Sequence, residues 1–453
     1  YKFMPMYKKR LWDGKIRLFN TNMTLYVGLL KHLAIFCKER KYKLDFDPNI
    51  FERGNSQEIL DYIRSLEYHD DKKRRIYPRD YQETAALEAL DRGRRTIISS
   101  TSSGKSLMIY MLTHYLLHRK NLGKVLIIVP TTSLVSQMAS DFLEYNKGRK
   151  LDIHKIQGGV DKTIEADYTV STWQSLHKMP KTFFEKFDVV MVDEAHLAKA
   201  KSITKILEKM PNAKYRYGFT GTLDESQTHE LVLTGLFGPV QKVTSTKKLI
   251  DDKTLADFKI KAISLQYPDD IRKINKSKSY QEEIDWIVKH EARNRFIRNL
   301  AWSLSGNTLI LFQFVEKHGK LLDPMLRKEG KNVHFIHGGV KSEDREAVRG
   351  IAESSSDNII LASYGTFSTG INIKRLDNII FASPSKSKIR NLQSIGRVLR
   401  KGNGKDKAVL YDIVDDLQWK THSNFAVKHF LERVKIYSGE QFEFKIYNVQ
   451  LKG

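Results

Sequence analysis

The stretch Ser99 to Ser106, SSTSSGKS, has the residue types and the spacing to hold a nucleoside triphosphate. A β-prone run, Arg95 to Ile98, leads into it, and an apolar helical pattern (Leu107, Met108, Tyr110, Met111, Leu112) leads out. Strand, small-residue loop, Gly-Lys-Ser and helix together form the context of a phosphate-binding loop. The backbone N–H groups of Thr101, Ser102, Ser103 and Gly104 would turn inward around a phosphate, and the following helix adds the positive end of its dipole. Lys105 would reach the β- and γ-phosphates, and Ser106 would place its hydroxyl on Mg2+. Ser99 stands where GxxxxGK[ST] usually begins with glycine.

A second site lies downstream, where Asp188 to Val192 form a buried strand running into Asp193, Glu194, Ala195 and His196. A strand ending in two carboxylates exposes both at the edge of a parallel sheet, where open α/β folds bind their ligands. Asp193 is then the Mg2+ partner and Glu194 the base that orients the attacking water. The gap between Lys105 and Asp193 leaves room for two or three βα units. Gln82, ahead of the loop strand, can offer its amide to both N6 and N7 of adenine.

Positioning these groups takes more than one domain. The 453 residues suggest about three, and 41% hydrophobic content supplies several cores. Lys and Arg number 77 against 53 Asp and Glu, a net charge of +24 with pI near 9.7. That excess predicts a polyanionic partner, nucleic acid before a membrane surface. No apolar run is long enough to span a bilayer. The lone cysteine, Cys37, cannot form an internal disulfide, so a reducing cytoplasm is expected.

Residues 1–70 read as a small α/β module. It has an Asp-Gly turn in LWDGKIRLFN, a helix over Leu25 to Arg40 with Leu29, Leu30, Leu33 and Phe36 on one face, and a strand over Tyr42 to Phe46. A second helix runs over Ser56 to Leu66 with Ser56 as cap. Its opening interleaves Lys8, Lys9, Arg10, Lys15 and Arg17 with Tyr7 and Trp12, a mixture that suits a phosphate backbone and stacked bases as well as a solvated edge.

Further along, hydroxyl residues recur where strands end: Pro130-Thr131-Thr132 after KVLIIV, Thr172 in TVSTWQSL, and Thr220-Gly221-Thr222 after Tyr217 to Phe219. Such ends cap helices and also suit backbone phosphates. One long helix is expected over Tyr280 to Leu304, with Lys289, Arg293, Arg295 and Arg298 on a basic face. A second α/β pattern then follows, with strands at Thr308 to Phe314, Val333 to Ile336, Asn358 to Ala362 and Asn378 to Ala382. After it come SYGTFSTGIN (Ser363 to Asn372) and a helix with Arg397 and Arg400 on one face, placed to fork onto phosphate oxygens.

The ordered set SSTSSGKS, VPTTSLVSQ, STWQSL, DEAH, TGT, SYGTFSTGIN and QSIGRVLR resembles the superfamily two helicases and translocases over roughly Arg79 to Asp415. WDGKIRL, YQEEI with a following RN, and YGTFSTGI resemble the UvsW family of bacteriophage recombination and repair helicases across most of the chain. The resemblance implies an α/β chain with two RecA-like parallel-sheet domains in tandem, over 76–243 and 260–415. A small N-terminal nucleic-acid-engaging domain precedes them, and an extension over 416–453 follows. It implies ATP between the two halves with Mg2+, and DNA across both. Gln82 would meet adenine, Arg397 and Arg400 would act as arginine fingers, and Gly370 with its neighbours would link ATP to nucleic acid. The implied activity is an ATP-driven DNA helicase acting on branched DNA in the host-cell cytoplasm beside phage recombination and replication proteins. TGT departs from the Ser-Ala-Thr of many relatives. RNA as substrate, and an ATP-switched binding or annealing protein, stay open as alternatives.

Overall fold

The computed structural model describes residues 7, 9–11, 13–15, 17–19, 22–47, 54–100, 102–156, 166–196, 201–221, 227–327, 331–370, 373, 375–383, 387, 394–396, 398–399 and 405–451. Thr101, Thr222, Arg397 and Arg400, together with Trp12 of the basic opening, lie outside the described residues. The chain forms two compact units, residues 1–99 with 104–243 and residues 244–453 with 100–103.

In chain order the first unit carries helix α1 (Leu30–Glu39), α2 (Ser56–Ser65), a short hairpin of β1 (Tyr68–His69) and β2 (Arg75–Ile76), and α3 (Asp80–Arg92). Then come β3 (Arg94–Ser99), α4 (Lys105–His114) with a π-turn over Tyr115–Arg119, β4 (Val125–Val129), α5 (Thr132–Tyr145) and β5 (Ile153–Ile156). It closes with β6 (Tyr168–Thr172), α6 (Trp173–Leu176), β7 (Val189–Asp193), α7 (Lys201–Glu208), β8 (Tyr215–Thr220), α8 (Gln227–Phe237) and β9 (Val240–Thr244). The sheet order is β5-β6-β4-β7-β8-β3-β9, parallel from β5 through β3.

Both faces of this sheet are covered, which is why its inner strands β4 (VLIIV) and β7 (VVMVD) read as nearly unbroken apolar runs rather than alternating ones. Ile97, Ile127, Val129 and Met191 face a core shared with α3, α4 and α5. Leu126, Ile128, Val190 and Val192 face the opposite core, with Phe183, Phe184, Leu207 and Leu233. Arg216 on β8 turns its guanidinium onto the Leu207 carbonyl at the end of α7 and onto the Met210 and Ala213 carbonyls of the turn that follows, supplying donors to acceptors that the helix end leaves open.

The beginning of the chain is tied to this unit. Ile59 and Ile63 of α2, with Tyr68, lie in the α3–α4 core, so residues 56–69 belong to the first unit and not to a separate module. The cap of α2 is Asn55, which accepts from Gln57 N and Glu58 N, rather than Ser56. No strand forms over Tyr42 to Phe46, which runs as irregular chain. The helical segment expected from Leu25 begins as a 3-10 turn over Val27–Leu29 pressed on α8; a Cβ at Gly28 would fall 1.8 Å from the Thr234 carbonyl oxygen. Tyr26 donates its hydroxyl to Glu208 at 2.6 Å beside that contact.

The second unit is a seven-stranded, all-parallel sheet. Its elements include β10 (Asp257–Gln266), α9 (Tyr280–Lys289), α10 (Glu291–Ser303), β11 (Thr308–Phe312), β12 (Val333–Ile336), β13 (Ile359–Ser363) and α11 (Tyr364–Gly370). After these come β14 (Asn378–Phe381), β15 (Lys407–Asp416), α12 (Phe425–Gly439) and β16 (Glu443–Gln450), in the sheet order β12-β13-β11-β14-β15-β10-β16.

Two expectations are corrected here. The helix expected over 280–304 is broken: His290 is extended, and its Nδ1 accepts from Arg293 N, capping α10. Residues 416–453 are no appendage, because β16 pairs with β10 and α12 packs on β15, burying Phe430 against Ala262 and Val414.

Candidate active site

The carboxyl ends of β6, β4, β7, β8 and β3 stand side by side on one edge of the first sheet, ending in Thr172, Val129, Asp193, Thr220 and Ser99. Sequence order alone does not bring them together. The chain crosses from β3 to β4, runs outward to β5 and β6, and returns to insert β7 and β8 between β4 and β3. The return makes a switch point, the crevice where such sheets hold ligands.

The loop after β3 has the backbone its composition predicts. Ser102 and Gly104 are left-handed, with φ of 70° and 81°, whereas Ser99 ends the strand outside that region, so serine suffices where glycine is usual. Ser103 N donates to Ser100 O at 3.2 Å, closing the turn. Lys105, the first residue of α4, folds back to donate from Nζ to Ser99 O at 3.3 Å.

Gln82 is buried at the start of α3. Its Oε1 accepts from Arg79 N at 2.9 Å, and its Nε2 lies over Gly104. One lone pair of the amide oxygen is thus engaged by its own helix, and adenine recognition would use what is left. A Cβ at Gly104 would come within 2.4 Å of that Nε2. Gly104→Ala therefore combines about 1–2 kcal/mol of left-handed backbone strain with displacement of Gln82. The expected result is an affinity for ATP at least about tenfold weaker, read by nucleotide titration.

Beside the loop, Asp193 accepts from Glu194 N at 3.0 Å. Burial, and next the neighbouring Glu194 carboxylate, push the Asp193 carboxyl up to about 6, while Lys105 and His196 pull against them. These opposing influences place Lys105, Asp193, Glu194 and His196 within one electrostatic neighbourhood. Such a carboxylate gains from a divalent cation, so the donors present fit Mg2+. Glu194 adopts φ of 53°, an unfavourable backbone held at a site where direction matters. His196 Nδ1 lies 3.2 Å from Glu194 Oε2 and 3.0 Å from Thr220 Oγ1. The imidazole therefore lies between the carboxylate at the end of β7 and the hydroxyl at the end of β8, with Nδ1 able to hydrogen-bond one of them at a time, a proximity that the spacing of DEAH and TGT hints at but does not specify.

The other hydroxyls are helix caps. Thr131 Oγ1 accepts from Leu134 N at 3.4 Å at the start of α5, and Thr172 Oγ1 from Ser175 N at 3.3 Å at the start of α6. Gln174 Nε2 reaches Pro130 O at 3.4 Å, joining the two turns into one surface. In the second unit, Ser363 Oγ accepts from Thr366 N at 3.4 Å at the start of α11, and Gly370 ends that helix. Arg345 donates to the His337 and Gly338 carbonyls after β12.

Three family models match the chain: DNA helicase UvsW, N-terminal, over residues 1–47; type III restriction enzyme, res subunit, over 75–225; and helicase conserved C-terminal domain over 292–402. Along its whole length the chain is 37% identical to the ATP-dependent DNA helicase uvsW of Enterobacteria phage T4, covering 93% of that protein. The chain belongs to the UvsW helicase family. A UvsW-family chain is an ATP-driven helicase, and its two parallel sheets are the tandem RecA-like domains of that machinery. The fold recurs at 14% identity in Dbp5 of S. cerevisiae bound to RNA and ADP BeF3, with a TM-score of 0.58 over 89% of this chain and 95% of that one. It recurs at 17% identity in the type ISP restriction-modification enzyme LlaBIII bound to DNA, with a TM-score of 0.61 over 84% of this chain and 32% of that one.

The YQEEI and RN pieces that mark the UvsW resemblance turn out to be structural. Glu283 accepts from Asn424 Nδ2, Phe425 N and Ala426 N at 2.8–3.0 Å, so it caps α12 from a neighbouring helix. Arg293, expected on an exposed basic face, is buried and pairs with Asp415 at 2.6 Å; Tyr267 donates to the same carboxylate at 2.8 Å. Asn294 donates to Val288 O and lies 3.3 Å from His318 Nε2.

Proposed function

We propose that this UvsW-family chain translocates on DNA and remodels branched forms such as forks and junctions. The observation that carries the reading is the single sheet edge on which Lys105, Asp193, Glu194 and His196 stand beside the turns at Thr131 and Thr172. Lys105 neutralises the β- and γ-phosphates and Glu194 orients water; Ser106 with Asp193 would hold Mg2+, which would supply Lewis-acid polarisation of the phosphate oxygens. The family resemblance implies that Arg397 and Arg400 would counter the negative charge on the transferred phosphoryl group. Thr131, Ser133 and Thr172 meet backbone phosphates, and the net charge of +24 draws the strand in. His196 and Thr220 pass the state of the nucleotide from β7 to β8.

Steady-state ATP hydrolysis with single-stranded DNA, duplex, a four-way junction, RNA or nothing tests this reading. Stimulation strongest with branched DNA and falling steeply with salt is expected, because each phosphate contact displaces counterions. Stimulation by RNA alone would make the chain an RNA motor, and no stimulation would make ATP a switch.

A pH dependence follows from Asp193. Its carboxyl titrates at about 6, so below that pH a metal must displace a proton. Affinity for the Mg2+–nucleotide complex is expected to fall about tenfold per pH unit below 6, where an ordinary Asp would hold it to about pH 4. Titration of a fluorescent nucleotide from pH 5 to 7.5 reads this out; an affinity unchanged down to pH 5 contradicts it.

A further inference from the structure

The hydroxyl assigned to Mg2+ is engaged by another helix: Ser106 Oγ lies 2.8 Å from the Tyr145 hydroxyl. Tyr145 is the last residue of α5, half-buried, its ring 5.6 Å from that of Tyr110 one turn along α4 from Ser106. The opposite end of α5 is the Thr131–Ser133 turn, with the two hydroxyls 3.0 Å apart and Thr132 and Ser133 exposed. A helix of 14 residues spans about 21 Å, so one rigid element joins the nucleic-acid-facing turn to the metal-facing serine. Both helices lie on the same face of the sheet and share one core, through Met108, Tyr110, Val135, Met138 and Phe142. Movement of α5 along α4 is therefore felt at Tyr145.

A serine hydroxyl ligates a cation through a lone pair aimed at the ion. A short hydrogen bond to Tyr145 holds the side chain toward α5 and has to be given up or redirected when the metal–nucleotide complex enters.

We propose that Tyr145 is a positioning residue that keeps the Ser106 hydroxyl turned toward α5, and that nucleic acid seated at the Thr131–Ser133 end shifts α5 and releases it. The inference rests on the reading of Ser106 as the metal-facing hydroxyl. Nucleic acid then favours the released state by its differential contact with the two positions of α5. A tyrosine at the far end of one helix thereby couples strand binding to the metal requirement of the ATP site.

The test is equilibrium binding of a fluorescent ADP titrated with Mg2+, with and without single-stranded DNA, in the wild type, Tyr145→Phe and Ser106→Ala. Phenylalanine keeps the packing on Tyr110 and removes only the hydroxyl. In its absence the Mg2+ midpoint without DNA is expected to fall about three- to tenfold, the range of one net hydrogen bond. DNA, which lowers the midpoint in the wild type, should then add nothing. A midpoint unaltered or raised in Tyr145→Phe, or a DNA effect that survives in it, overturns the proposal. Ser106→Ala separates the two layers. Loss of Mg2+ dependence there alongside a wild-type response in Tyr145→Phe removes the coupling alone, whereas full Mg2+ dependence in Ser106→Ala removes the assignment of Ser106 and the proposal with it.

Discussion

Glu194→Gln is expected to lower ATP turnover about 10²- to 10⁴-fold while leaving DNA affinity intact. The amide keeps the size of the side chain, so the left-handed backbone at φ 53° and the neighbouring His196 are retained. What is lost is a carboxylate able to take up the proton of the attacking water. Removing the charge at Glu194 also removes one of the two influences that push the Asp193 carboxyl up, so metal affinity should hold or improve. Phosphate release measured beside DNA binding by polarisation checks both halves. Turnover close to that of the wild type would show that Glu194 is not the group that activates water.

The second large effect concerns stability. Arg293→Met is expected to destabilise the second unit by about 3–5 kcal/mol, because it removes the guanidinium that pairs with the buried Asp415 carboxylate and leaves it the Tyr267 hydroxyl as a donor. A loss of that size is a large fraction of the 5–15 kcal/mol that typically holds a domain together. Asp415→Leu added to Arg293→Met removes the orphaned charge and should recover much of the loss. Urea denaturation of the single and double variants reads this, and a double variant no more stable than Arg293→Met would contradict the pairing. Arg433 and Asp412, paired at 2.8 Å with Tyr437 donating to the same carboxylate, form an equivalent clasp between α12 and β15.

What could be read in advance was local. SSTSSGKS carries its own strand, turn and helix start, and Asp193-Glu194 ends an unbroken apolar run, so loop and carboxylates fall where the order of residue types puts them. The innermost strands, such as VLIIV and TLILF, are legible for the same reason: a strand covered on both faces has no polar alternation to confuse it. What escaped depended on partners far away in the chain. Arg293 looks like one more cation on a helix face because Asp415, which buries it, is 122 residues distant. His290 breaks a continuous helical period with a single extended residue whose ring then caps the next helix, something that periodicity does not record. Tyr42 to Phe46 alternates like a strand but has no neighbour to pair with among the described residues. Tyr145 sits in an ordinary helical pattern, and only the packing of α5 on α4 brings it to Ser106. The roles of Thr101, Arg397 and Arg400 rest on motif order.

The position of β16 also sets an order of assembly. It lies in register against β10, Lys259 opposite Glu443, so the first and the last strands of the second unit are neighbours with the rest of that unit folded between them. As the chain leaves the ribosome, the first unit has all its strands once Thr244 has emerged and can collapse on its own. The second must wait with β10 lacking one flank until Glu443–Gln450 arrives, and its closure joins segments nearly a whole domain apart, the kind of non-local contact that makes folding slow. During that interval β10 presents an open strand edge, and the basic side chains of Lys259, exposed, and Lys261, half-buried, are placed to discourage a stray strand from another chain.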